Sequence, residues 1–248
     1  MNASMPLDLL PGRGSGGIGR RPLTVSIHQP AYLPWLGYFD RIAASDVFVF
    51  LDTVQFEKNS FTNRNRIKTP QGPQWLTVPV LAQGHFDKSL IEIEIDGRQD
   101  WRKKHLRSIE QNYRRAPFFA ERFDRLATAY ASAQRCLAEL CFCQLTFWLH
   151  ELGIPTRVLR ASELAVEGAK SDLVLALCRA VGATTYLSGA LGRDYLHEEQ
   201  FSAAGIALSY QDYDHPTYPQ LYGDFLPALS VVDFWMNCAD LGAFRRPS

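Results

Sequence analysis

Val47 to Leu51 is an unbroken apolar run, and it follows a first short strand-like run, Leu23 to Ile27, with apolar residues at helical spacing between them from Leu36 to Ala44. A strand that is apolar throughout needs cover on both faces, which is the condition of a parallel sheet packed between helices. The chain therefore opens with a βαβ unit. The last third returns to the same rhythm: Thr156 to Leu159 as strand, Ser171 to Val181 as helix, Thr184 to Ser188 as strand, Glu199 to Ala204 as helix and Ile206 to Tyr210 as strand. Gly182 and Gly205 each stand just before a strand, where the preceding helix wants a left-handed cap. These alternations predict an α/β fold with a Rossmann-like, mostly parallel sheet and helices on both faces.

The middle of the chain reads differently. Trp75 to Leu81 and Leu90 to Asp96 are predicted strands, the second with Ile91, Ile93 and Ile95 alternating with Glu92, Glu94 and Asp96, a pattern that puts one face in solvent. Asp100 to Tyr113, Phe118 to Ala131 and Ala133 to Leu152 are predicted helices that form a helical insertion over about residues 100–152. Asp100 is its N-cap, and Gly153 with Pro155 is its stop. Residues 1–21 lack the apolar core of a signal peptide and hold Gly12, Gly14, Gly16, Gly17 and Gly19 beside Arg13, Arg20 and Arg21. They are expected to be a leader outside the fold, with 22–248 forming one α/β domain.

With 46% hydrophobic residues in 248, the chain can bury a sizeable core. Its 26 basic residues balance 26 acidic ones, which argues against generic attraction to polyanions but leaves room for a local basic patch. No apolar stretch reaches membrane-spanning length, so no membrane partner is expected. The five cysteines include no Cys-x-x-Cys pair and read as reduced thiols of a cytoplasmic protein, with none assigned to catalysis. His28, Asp52, His105 and His215 show no spacing that pre-forms a metal site, and the Gly-x-Gly-x-x-Gly, Walker A and Gly-x-Ser-x-Gly signatures are absent. No metal and no cofactor are expected.

Ligands of such sheets gather beyond the carboxyl ends of the strands. After the first strand come His28, Gln29, Pro30, Tyr32, Pro34, Trp35 and Gly37, a stiff loop that loses little entropy on holding a ligand. After the second come Asp52, Gln55 and Lys58, then Asn63, Arg64, Asn65, Arg66 and Lys68. Alternation puts Arg64, Arg66 and Lys68 on one strand face, either solvated or gathered round an anion. Ser188 and Gly189 close a later strand, and Asp212 and His215 follow the last one. Packing histidines and polar turns are the plain alternatives to a site. The sequence predicts instead that His28, Asp52 and His215 converge on one sheet edge.

The segments His28-Gln29-Pro-x-Tyr32-x-Pro34-Trp35-x-Gly37, Asp46 to Lys58 and Asn63 to Lys68 closely resemble the WbqC-like protein family, with further likeness at Trp101, His105, Tyr113, Ser171 to Leu173, Tyr186 to Gly189 and Asp233-Phe234. The resemblance implies an amide-forming aminoacyltransferase. It would move an amino acid, glycine in the suggested cases, from an activated donor such as aminoacyl-tRNA to the amine of an amino sugar or natural-product intermediate. A weaker likeness to the nucleotidylyltransferase superfamily covers Thr24 to Ile42, where Trp35 and Tyr38 replace the two signature histidines. For this chemistry His28 is the expected base, Asp52 its orienter or an ammonium ligand, and His215 with Asp212 the reserve. Lys58, Arg64, Arg66 and Lys68 would hold donor phosphates, with Asn63 and Asn65 as neutral partners. An ATP-dependent nucleotidylyltransferase or ligase, and a non-catalytic RNA- or carrier-binding module using Phe61, are the competing readings.

Overall fold

The computed structural model describes residues 21–58, 60–81 and 88–242. The sequence-predicted leader, apart from Arg21, lies outside the described residues. A five-stranded parallel sheet is built from β1 (Thr24–His28), β2 (Val47–Phe50), β5 (Arg157–Arg160), β6 (Thr185–Ser188) and β7 (Ala207–Tyr210), in the order β5-β2-β1-β6-β7. Chain order therefore reverses between β1 and β6. A sheet of this kind leaves a crevice beyond the carboxyl ends of those two strands.

Alternation along β2 shows why its run is apolar throughout. Phe48 and Phe50 enter a core with α1 (Leu36–Ala43) and the inserted helices, whereas Val47, Val49 and Leu51 enter a second core with α5 (Lys170–Val181) and Phe201 of α6 (Glu198–Ala203). Helices thus cover both faces, as predicted. Gly153 and Gly182 cap α4 (Leu137–Leu152) and α5 at φ of 65° and 76°, in the left-handed region that a side chain resists.

Between β2 and β5 the chain inserts a two-stranded antiparallel hairpin, β3 (Arg64–Thr69) and β4 (Gly72–Thr77), and then α2 (Trp101–Tyr113), α3 (Phe119–Ala131) and α4. Asp100 caps α2 by accepting from the Lys103 N–H. The predicted strand over Leu90 to Asp96 is corrected. Leu90–Glu92 is a 3-10 turn in which the Glu92 carboxylate accepts from both the amide and the hydroxyl of Ser89. Such a capping box satisfies local donors that a strand would leave to a neighbour. Ile91 is exposed while Ile93, Ile95 and Asp96 are buried, with only isolated bridges from Glu94 to Cys136 and from Ile95 to Val80.

The helix α7 (Val231–Asn237) has no counterpart among the predicted elements. All seven of its residues are buried, so it carries no amphipathic period from which a helix could be read. Among the described residues no helix is long and apolar enough to cross a membrane.

Candidate active site

A cavity of about 630 Å³ opens at the point where the strand order reverses, lined among others by His28, Gln29, Trp35, Arg41, Phe61, Ser188, Gly189, Tyr195 and Gln211. Of the residues singled out from sequence, the cavity collects His28, Gln29, Trp35, Ser188 and Gly189. β1 delivers His28 and Gln29 at its carboxyl end, and β6 delivers Ser188 and Gly189 at the adjacent one.

The protonation state of His28 follows from one contact. Its Nδ1 lies 2.8 Å from the Gln29 carbonyl, which can only accept, so Nδ1 carries the proton and Nε2 the lone pair. Burial, together with the cation of Arg41, pushes the imidazole pKa down to about 3. Trp35 and Tyr38 pack edge-on against the ring, at centroid distances of 5.9 and 5.0 Å, and fix its plane. Nε2 makes no hydrogen bond among the described residues. His28 is an uncharged imidazole with a free acceptor nitrogen at a cavity wall.

The loop that carries this residue is held from below. Leu33 adopts a φ of 44°, a left-handed conformation that costs a branched side chain energy. The buried Asn65 amide donates to the Leu33 carbonyl at 2.7 Å, and Tyr32 N–H donates to Phe61 O. Asn65→Ala removes this tie and should lower stability by roughly 1–3 kcal/mol. Thermal melts with and without the substitution measure the cost, and the His28 loop is expected to be the first segment to gain amide exchange.

The other sequence-predicted residues are placed elsewhere. Asp52 is wholly buried, accepting from Arg160 Nε at 3.0 Å and from the N–H and hydroxyl of Ser162 at 2.9 and 2.8 Å. It clamps the end of β2 to β5 and does not orient His28, whose orienting partner is the Gln29 carbonyl. His215 is engaged at both ring nitrogens: Nε2 accepts from Ala228 N–H, and Nδ1 lies 2.9 Å from the Tyr213 hydroxyl. Its ring packs at a tilt against Tyr218 and Phe225 in the C-terminal loop, outside the cavity lining, and Asp212 is exposed. The predicted convergence of His28, Asp52 and His215 is therefore corrected.

The predicted row of three cations divides. Lys68 is only 2% exposed, and its ammonium donates to Gln220 Oε1 and the Asp224 carbonyl, so it anchors the C-terminal loop. Arg64 and Arg66 lie over the Trp75 ring, at 4.3 and 5.5 Å from its centroid. Trp75 in turn leans on Phe61, and Phe61 on Trp35, with centroid separations of 6.0 and 5.4 Å. An aromatic path flanked by two guanidinium groups thus runs from the cavity wall to the surface, where Phe61 and Trp75 are each 42% exposed. Asn63 donates to the Val78 carbonyl, Tyr32 is buried with its hydroxyl against His105 and Tyr130, Gln55 bridges to Ser89 through the backbone, and Lys58 is exposed.

Among the polar cavity residues, Arg41, Gln211, Glu57 and Thr62 escaped the sequence reading. Gln211 donates to the Gly37 carbonyl and to Asp40, tying the end of β7 to α1. Arg41 is the unusual one, a buried cation on a helix in which only Asp40 is not buried. Among the described residues no cluster of His, Cys, Asp and Glu is arranged to hold a metal ion.

No solved structure matches the chain. It is 41% identical over 215 residues to Rv1507c, an uncharacterized protein of Mycobacterium tuberculosis, a match covering 86% of this chain and 93% of that protein. The model of the WbqC-like protein family matches residues 29–242, the span that contains the cavity loop, the hairpin, the inserted helices and α7, and the chain belongs to that family.

Proposed function

We propose that the protein is an aminoacyltransferase, forming an amide between an activated aminoacyl donor and a small amine in the cavity at the end of β1. The observation that carries this reading is the position of His28 at the cavity wall with its Nε2 unengaged among the described residues. An amine nitrogen attacks the ester carbonyl of the donor, its proton passes to His28 Nε2, and collapse of the tetrahedral adduct breaks the ester bond. The proton then leaves with the donor's hydroxyl oxygen. The Gln29 carboxamide, which makes no side-chain hydrogen bond among the described residues, stands on the same wall as a donor for the developing oxyanion.

The path from Trp35 through Phe61 to Trp75, flanked by Arg64 and Arg66, favours a donor that ends in nucleotides, such as aminoacyl-tRNA. Aromatic faces stack bases and guanidinium groups meet phosphates without reading sequence. On this account Arg64→Gln with Arg66→Gln raises KM for the donor about tenfold or more, leaves kcat nearly unchanged, and flattens the salt dependence of donor binding.

The reading is tested by following labelled amino acid on a donor charged beforehand. Release should require both protein and amine and should proceed without ATP. A strict need for ATP, accompanied by exchange of labelled pyrophosphate into ATP, would transfer the assignment to a ligase. Salt-sensitive RNA binding with no turnover would leave a binding module.

A further inference from the structure

We infer that Arg41 is a receptor for a carboxylate group, and that the small molecule acylated in the cavity is an amine that also bears a carboxylate. This deepens the acceptor half of the proposed function and rests on the cavity being the acceptor pocket.

Arg41 is 7% exposed and lines the cavity, yet it forms no ion pair and no side-chain hydrogen bond among the described residues, and its Nε is buried without an acceptor. A guanidinium so placed has lost water and gained no ion-pair or hydrogen-bond partner in return, an unfavourable arrangement that a ligand anion would relieve. The surroundings are shaped to keep it there. Gly189, at a φ of −71° that any residue adopts, packs so close that a Cβ would overlap Arg41 Nη1. Of the groups that act on its charge, Tyr186, Tyr38 and Tyr195 carry phenols and Asp40 is the one carboxylate, which makes no ion pair with Arg41 and accepts from Gln211 instead.

The count of charges selects the anion. Arg41 is the one cationic side chain on the described lining, His28 is neutral, and Glu57 adds a carboxylate at the exposed rim. One positive charge matches one carboxylate, whereas a phosphate dianion would remain half unpaired and would face Glu57. A planar guanidinium also suits the two oxygens of a carboxylate. The walls beside it, Trp35, Phe61, Tyr186 and Tyr195, are aromatic, so a carboxylate on a flat apolar body is a suitable probe.

Binding is measured by calorimetry on the full chain with benzoate, its neutral isostere benzamide, and inorganic phosphate. The expected result is that benzoate binds at least tenfold tighter than benzamide and tighter than phosphate. Arg41→Met should erase the preference for benzoate while the unliganded protein melts at the same temperature or higher, because an unpaired buried charge has been replaced by an apolar chain of similar length. Gly189→Ala keeps the charge but displaces the guanidinium, and should weaken benzoate by a similar factor. Equal affinity for benzoate and benzamide in the wild type, or unchanged benzoate binding in both variants, overturns the receptor. Tighter binding of phosphate than of benzoate overturns the choice of carboxylate. No turnover enters the measurement, so its outcome is independent of whether acyl transfer is detected.

Discussion

His28→Ala lowers the rate of amide formation by about 10²-fold, the lower end of the usual contribution of a positioned proton acceptor because burial and the Arg41 cation weaken the imidazole as a base, and leaves the melting transition nearly in place. Both halves follow from position. Nε2 is the only basic atom on the described cavity lining that is neither a carboxylate nor already engaged, so its loss leaves the attacking amine without a proton acceptor beyond water. The ring borders an open cavity, and truncation there enlarges space already continuous with solvent instead of creating a sealed void. Imidazole added to the medium should restore part of the rate in the variant. Normal turnover by a folded His28→Ala protein would remove the residue from the mechanism.

Asp52→Ala has the opposite signature. Its carboxylate is wholly buried and satisfies Arg160 and both donors of Ser162, so truncation leaves a partly buried guanidinium and two orphaned donors. Breaking a buried pair from one side costs about 3–5 kcal/mol. Glu139, 2.6 Å from Arg160 Nη2, still compensates part of that cation and places the loss near the lower limit. For a domain of this size about 3 kcal/mol corresponds to a fall in Tm of roughly 6–12 °C. The activity of the protein that remains folded should stay within a few-fold of wild type. If Asp52 instead oriented His28, the rate would collapse with no change in melting. Thermal melts and rates on the same samples separate the two.

The sheet was legible in the sequence because its strands and helices carry their own period and stops. β1, β2, α5 and β6 lie within about two residues of the predicted bounds, and the alternation of β2 between two cores is what made its run continuous. Two stretches were not legible from their period alone. Leu90 to Asp96 alternates like a strand, yet a local cap wins over its pairing, and α7 is hidden by its own complete burial.

The site divides along the same line. His28, Gln29, Ser188 and Gly189 could be chosen because the carboxyl ends of the strands are where such sheets bind. Asp52 and His215 also follow strands of the sheet, and Lys68 lies on the hairpin strand β3. What separates them is the partner each meets: Arg160 and Ser162, Gln220 and Asp224, Tyr213 and Ala228. Arg41 was invisible for the converse reason. Its significance lies in having no partner, which no local pattern encodes.

The claim that the cavity at the end of β1 houses acyl transfer is tested most directly by intact-mass analysis of amine acceptors incubated with purified protein and precharged aminoacyl-tRNA, without ATP. The panel should include amines with and without a carboxylate. The account predicts that an acceptor gains the mass of one aminoacyl residue with wild-type protein and fails to do so with His28→Ala. A panel in which no acceptor gains mass while the protein exchanges pyrophosphate into ATP, or in which His28→Ala yields the same product at the same rate, would contradict it.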